Sequence, residues 1–244
     1  MKKIIATFFL IASFMGATAQ NIKNVVHDAN AELRRVEDFN SISVSSAITL
    51  YISQGSENAV AISTDGGDNS KIRTEVKNGV LRISPDNGYW NKWSWSGDKK
   101  VKAYVTVKDL KRIEASGACK VIIADKITVS DLRVEITGAS GLKGELTAER
   151  MKLEISGASN ATLTGTVANL DVEVTGASTL RASDLVVTTC SAEASGASSM
   201  RLNVIKDFTR VEASGASNIH YKGDASVRNF EASGASSIKK DSNK

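Results

Sequence analysis

From about residue 110 onward, apolar and polar residues alternate with a period of two, and the alternation is punctuated by glycine. The residue before each of seven regularly spaced glutamates is Ile113, Val134, Leu153, Val172, Ala192, Val211 or Phe230, and the residue after it is Ala, Ile or Val. A Ser or Thr comes next, then Gly, then Ala. Apolar, Glu, apolar, hydroxyl is the signature of a strand with Glu and the hydroxyl on one side and the apolar pair on the other. The glycine supplies a backbone conformation that a side chain forbids, and the small Ala is expected to fit a tight inner corner.

The motif recurs as Glu-Ala-Ser-Gly-Ala-Cys at Glu114, Glu-Ile-Thr-Gly-Ala-Ser at Glu135, Glu-Ile-Ser-Gly-Ala-Ser at Glu154 and Glu-Val-Thr-Gly-Ala-Ser at Glu173. Glu-Ala-Ser-Gly-Ala-Ser then appears at Glu193, Glu212 and Glu231. Its glycines, Gly117, Gly138, Gly157, Gly176, Gly196, Gly215 and Gly234, are 21, 19, 19, 20, 19 and 19 residues apart. A unit this short cannot bury its own apolar face, so identical units must stack, each strand pairing in parallel with its counterpart one coil away. The pattern predicts an all-β fold, a right-handed parallel β-helix or β-solenoid with coils of about 19 residues, the hand following from the bias of parallel crossovers.

The first half carries a degraded version. The stretch 42–52 aligns with 113–123, and Phe39 with Leu110, which places a divergent coil near residue 42. Residues 72–84 read as a β-hairpin around Asn78-Gly79, and 101–107 alternates again before the clean repeats. The expected organisation is a signal peptide over 1–19, a lead-in over 20–37, an irregular solenoid part with the hairpin and a Trp-bearing loop over 38–108, seven regular copies over 109–238, and a polar tail over 239–244.

Three stretches resemble a known family: Arg35-Val36-Glu37-Asp38-Phe39-Asn40-Ser41-Ile42 at the entry, Asn78-Gly79-Val80-Leu81-Arg82-Ile83 in the middle, and Tyr104-Val105-Thr106-Val107-Lys108-Asp109-Leu110 leading into Ser116-Gly117-Ala118. They are similar to the putative auto-transporter adhesin, head GIN domain family of exported bacterial proteins, over about residues 35–238. The resemblance implies a β-helical fold and a surface or periplasmic setting, with no ligand or catalytic residue to carry over. The Pro expected between Val107 and Leu110 is absent.

The first residues read as an address. Lys2 and Lys3 precede an apolar stretch over 4–15 and an Ala17-Thr18-Ala19 cleavage site, so the mature chain is expected to begin at Gln20, to be exported to the periplasm or outer cell surface, and to have no membrane span. Without Lys2 and Lys3 the formal charge falls from +4 to +2, which argues against a nucleic-acid partner. Cys119 and Cys190 fall four coils apart, roughly 19 Å along the axis at about 4.8 Å per coil. A disulfide between them is therefore not expected.

Four features are candidates for chemistry. The glutamates should stack one per coil, with Arg112, Arg133, Lys152 and Arg210 two residues earlier on the same face. A solvated ladder alternating with cations is the favoured reading, and divalent-cation binding the alternative. Ser116, Thr137, Ser156, Thr175, Ser195, Ser214 and Ser233 form a second row, read as a hydroxyl ladder that bonds across coils or closes the corner, with an ice-binding face as the lesser alternative. Tyr89, Trp90, Trp93 and Trp95 hold all three Trp of the chain within seven residues. They either cap the solenoid or present rings to a glycan or protein. Finally, His27 and His220 are the only histidines, and no nucleophile–base spacing, metal-ligand cluster or phosphate loop accompanies them. A groove pair such as Glu173 with Arg181 leaves a β-helical carbohydrate-active enzyme as the weakest reading.

These features predict a non-catalytic exported binding module for glycan or protein, needing no cofactor or metal, with Tyr89, Trp90, Trp93 and Trp95 as its contact. The alternative is a structural envelope module that works as a homo-oligomer.

Overall fold

A computed structural model describes residues 28–65, 68–86 and 100–241. In chain order the strands are β1 (Glu32–Arg34), β2 (Ser41–Ser45), β3 (Ile48–Gln54), β4 (Ala59–Thr64), β5 (Ile72–Lys77), β6 (Val80–Pro85), β7 (Val101–Val107), β8 (Arg112–Ser116) and β9 (Lys120–Ile123). The regular part follows as β10 (Ile127–Ile136), β11 (Gly141–Ile155), β12 (Asn160–Val174), β13 (Thr179–Ala194) and β14 (Ser199–Ala213). It closes with β15 (Asn218–Lys222), β16 (Ser226–Val227), β17 (Phe230–Ala232) and β18 (Ser237–Lys240).

From β11 to β14 nearly a whole coil is one bent strand, paired in parallel with the coil before it. The chain is a β-solenoid of stacked coils of about 19 residues. Its interior is filled by columns of like side chains. Val134, Leu153, Val172, Ala192 and Val211 lie in register and are buried. So do Leu132, Met151, Leu170, Cys190 and Phe208, where the small Cys190 sits beside the large Phe208. Both cysteines are free and buried.

The glycines lie on one line, because the backbone N–H after each donates to the carbonyl of the glycine one coil earlier: Ala158 to Gly138 and Ala177 to Gly157, both at 2.7 Å. Two constraints exclude side chains there. Gly157 has φ 80°, and a Cβ on it would stand 2.4 Å from the carbonyl oxygen of Gly138.

The corner corrects one expectation. Ala139, Ala158, Ala177, Ala197 and Ala216 are exposed, and the residue after each is buried instead. The glycine turn swings the Ala outward and drives Ser140, Ser159, Ser178, Ser198 and Ser217 inward, all at 1% exposure or less. Buried hydroxyls need partners. The N–H groups of Cys119, Ser140 and Ser159 donate to the Oγ of Ser140, Ser159 and Ser178 at 3.2, 3.2 and 3.3 Å. Ser217 Oγ donates to the Ala194 carbonyl at 3.0 Å. The hydroxyl column that bonds across coils is thus this one, two residues after Gly, while the row from Ser116 to Ser233 faces outward.

The N-terminal coil sits where the alignment put it. β2 and β3 pair with β8 and β9 as Ile42 with Ile113 and Ile52 with Ile123. Stacking order departs from chain order, however. β6 and β7 form a further coil on the outer side of β2 and β3, with Ile42 against Leu81 and Leu50 against Ala103. Residues 101–107 thus lead directly into the clean repeats along the chain but are separated from them in the stack by β2 and β3. Antiparallel strands close this end: β5 joins β6 through Asn78-Gly79, both at positive φ, and β4 runs antiparallel to β7. β1 lies antiparallel on β4. The described part of the lead-in is anchored by Asp28, which accepts from Tyr104 Oη at 2.7 Å and Ser63 Oγ at 3.0 Å.

Intervals longer than 19 are absorbed locally. Thr162 pairs with Arg181 but Thr164 with Asp184, so β13 takes its extra residue as a bulge between them.

Candidate functional site

Each coil presents two outward surfaces beside the glycine line. On the run before the corner, Glu114, Glu135, Glu154, Glu173, Glu193, Glu212 and Glu231 stack in register. Like charges on paired strands repel, and here cations two residues earlier offset them. Arg112 lies 2.7 Å from Glu114 and 4.0 Å from Glu135. Arg133 and Lys152 both reach Glu154 at 3.1 Å. Arg210 bridges Glu193, at 3.4 Å, and Glu212. Partial burial pushes the Glu154 carboxyl up, but Lys152 and Arg133 outweigh it and hold the group below its ordinary value. The Arg210 guanidinium likewise lowers Glu212. Glu173 differs: Asp171 occupies the cation position, and among the described residues no ion pair reaches it. Among the described residues, no three His, Cys, Asp or Glu side chains are arranged to hold a metal ion.

Beyond this ladder a groove of about 550 Å³ crosses the coils. Leu132, Met151 and Leu170 form its floor, with Asp131, Arg150, Asn169 and Thr189 on one side and Arg133, Lys152, Asp171 and Ser191 on the other. Arg150 spans two coils to grip Asp131, its Nη2 2.8 Å from Oδ2, which lowers the carboxyl and raises the guanidinium. The groove is absent from the six-residue motif because it forms only where residues 19 or 20 apart become neighbours.

On the run after the corner, five residues beyond each glycine from Gly138 on, stand Lys143, Thr162, Arg181, Arg201, His220 and Lys239, again in register. Reading each coil past its Ala-Ser would have exposed this column in the sequence. It also separates the pair considered for catalysis, since Glu173 and Arg181 fall on runs to opposite sides of the corner at Gly176. His220 Nδ1 lies 2.9 Å from Asp241.

Tyr89, Trp90, Trp93 and Trp95 lie outside the described residues, as does His27. In the sequence the segment bearing the four aromatics falls between β6 and β7.

Three solved structures share this architecture. A "putative adhesin" from Bacteroides fragilis is 21% identical, with TM-score 0.78, over 86% of this chain and 95% of its own. A "putative adhesin" from Parabacteroides distasonis is 19% identical, with TM-score 0.66, over 85% and 95%. A "putative lipid binding protein" from the same species is 17% identical, with TM-score 0.60, over 88% and 98%. Their names differ while their folds agree, so fold alone does not select a ligand. No curated protein sequence matches the chain. The model of one family covers residues 38–225, and the chain therefore belongs to the family described as "Putative auto-transporter adhesin, head GIN domain".

Proposed function

We propose that this protein is a non-catalytic, exported binding module of the cell envelope that holds a glycan or a protein against a rigid face. The observation that carries this reading is the in-register repetition of outward chemistry, coil after coil, on a frame whose interior columns are almost wholly buried. Such a frame presents many weak contacts at fixed spacing without an ordering cost on binding. Tyr89, Trp90, Trp93 and Trp95 are the proposed aromatic contact, joining a large apolar face to a polar handle.

The test is binding of the mature chain to a glycan array and to surface-protein extracts. A Trp90→Ala, Trp93→Ala, Trp95→Ala variant with an unchanged circular dichroism spectrum should lose the signal. Undiminished binding by that variant removes the aromatic contact, and silence of the wild type on every surface removes the binding reading itself.

A second reading, assembly into oligomers, is favoured by Phe230, which belongs to an interior column yet is 58% exposed on the last coil. Light scattering across a concentration series separates the two, since assembly raises the mass with concentration and a monomeric binder does not.

A further inference from the structure

The two surfaces beside the glycine line treat charge in opposite ways. On the Glu side, stacked carboxylates are offset by Arg112, Arg133, Lys152 and Arg210. On the other side Lys143, Arg181, Arg201 and Lys239 are exposed, occupy one column, and make no ion pair among the described residues. Arg181 and Arg201 are direct neighbours on paired strands, a like-charge contact that costs stability when nothing compensates it. The carboxylates farther along this run are already engaged: Glu145 lies 3.8 Å from Lys126, and Asp184 lies 3.9 Å from Lys222.

We propose that this column binds an acidic polysaccharide, laid along the solenoid axis across the coils. The proposal rests on the glycan-binding reading above and names the class of glycan. Three properties select it. First, from Lys143 to Lys239 the column climbs five coils, roughly 24 Å at about 4.8 Å each, which suits an extended chain with a charge on successive units. Second, the neighbouring column toward the corner is Asn160, Thr179, Ser199 and Asn218, small side chains that donate to and accept from sugar hydroxyls without blocking the approach. Third, the face lacks what the other polyanions need. A bilayer surface takes apolar residues that enter the acyl boundary, but the large exposed apolar residues among those described are Leu33, Ile205 and Phe230, and none belongs to these two columns. Single-stranded nucleic acid takes a row of aromatic platforms, and from Lys143 to Lys239 the one ring in these columns is the His220 imidazole, held by Asp241 at 2.9 Å.

The experiment measures binding of the mature chain to immobilised polygalacturonate and chondroitin sulfate, beside neutral amylose and phosphatidylglycerol vesicles, over a salt series. Arg181→Gln with Arg201→Gln is compared with Lys71→Gln with Lys77→Gln, which removes equal charge from outside both columns. Thermal melts of both variants show that the fold is intact. The column variant should lose about tenfold in affinity for the acidic polysaccharides, as expected for two charge-assisted contacts, and its salt dependence should flatten. The control should bind within about twofold of wild type. Equal losses in both variants would reduce the effect to net charge and overturn the proposal. Tighter capture of the vesicles than of either polysaccharide would overturn it in favour of a membrane surface. If acidic polysaccharides fail while another glycan or a protein still binds, this inference falls and the broader reading stands.

Discussion

At the residue scale the glycine line is the least replaceable feature. Gly157 combines φ 80° with a carbonyl one coil away that leaves no room for a Cβ. Gly157→Ala should therefore cost about 2 kcal/mol or more, the left-handed penalty plus the clash. Ala158→Ser, one residue on and pointing into solvent, should stay within about 0.5 kcal/mol of wild type. Urea midpoints of the two variants check the contrast, and equal midpoints would show that the corner relaxes. The motif itself records which residues are small, yet it does not tell which is small because it is buried. Ala and Ser are both acceptable inside a corner on size alone. At Ser140, Ser159 and Ser178 the inward hydroxyl accepts the N–H of the corner residue one coil earlier, a partner that exists only once coils are stacked.

At the element scale the N-terminal closure is held by a polar latch as well as by strand pairing. Asp28 lies between Tyr104 on β7 and Ser63 on β4, with Lys102 at 3.5 Å. Burial pushes its carboxyl up, but the Tyr104 and Ser63 hydroxyls, the Asn30 N–H and the Lys102 charge together hold it below its ordinary value. Burial and the hydrogen bond to that carboxylate push the Tyr104 phenol up, so it stays a donor at neutral pH. Because the folded carboxyl is the stronger acid, its stabilisation is fully present above the ordinary carboxylate range and is lost as pH falls through the depressed folded value. Protection of β1 and β4 amides from hydrogen exchange should therefore drop on acidification relative to β12 amides. Asp28→Asn should lower that protection at pH 7 and remove much of its acid dependence. An unchanged pH profile in Asp28→Asn would assign the acid response to other groups. β5 and β6 were legible because Asn-Gly is a local signal, whereas β1 was not. Its three residues carry no distinctive pattern, and its place depends on an antiparallel edge contributed by β4.

At the scale of the whole molecule, each regular coil contacts chiefly its two neighbours, so stability is close to a sum of coil and interface contributions. Removing one full period, residues 158–176, joins Gly157 to Ala177 and restores every column with one coil fewer. That deletion should fold cooperatively, with a smaller dependence on urea in proportion to the lost surface. Removing 158–167 alone brings outward positions onto inward columns and should not fold. Circular dichroism and urea titration distinguish the pair, and comparable folding of both would contradict a solenoid held by register.

The columns, the glycine line and the coil at residues 42–52 followed from sequence because they are periodic: the same contact is written many times, and each copy confirms the others. Tertiary structure alone decided three things. It set the coil of β6 and β7 outside that of β2 and β3, since chain order does not dictate stacking order when a hairpin reverses the path. It turned Ala out and Ser in at the corner. It also assembled the groove from residues about one coil apart, whose juxtaposition is a property of the pitch and belongs to no local run of residues.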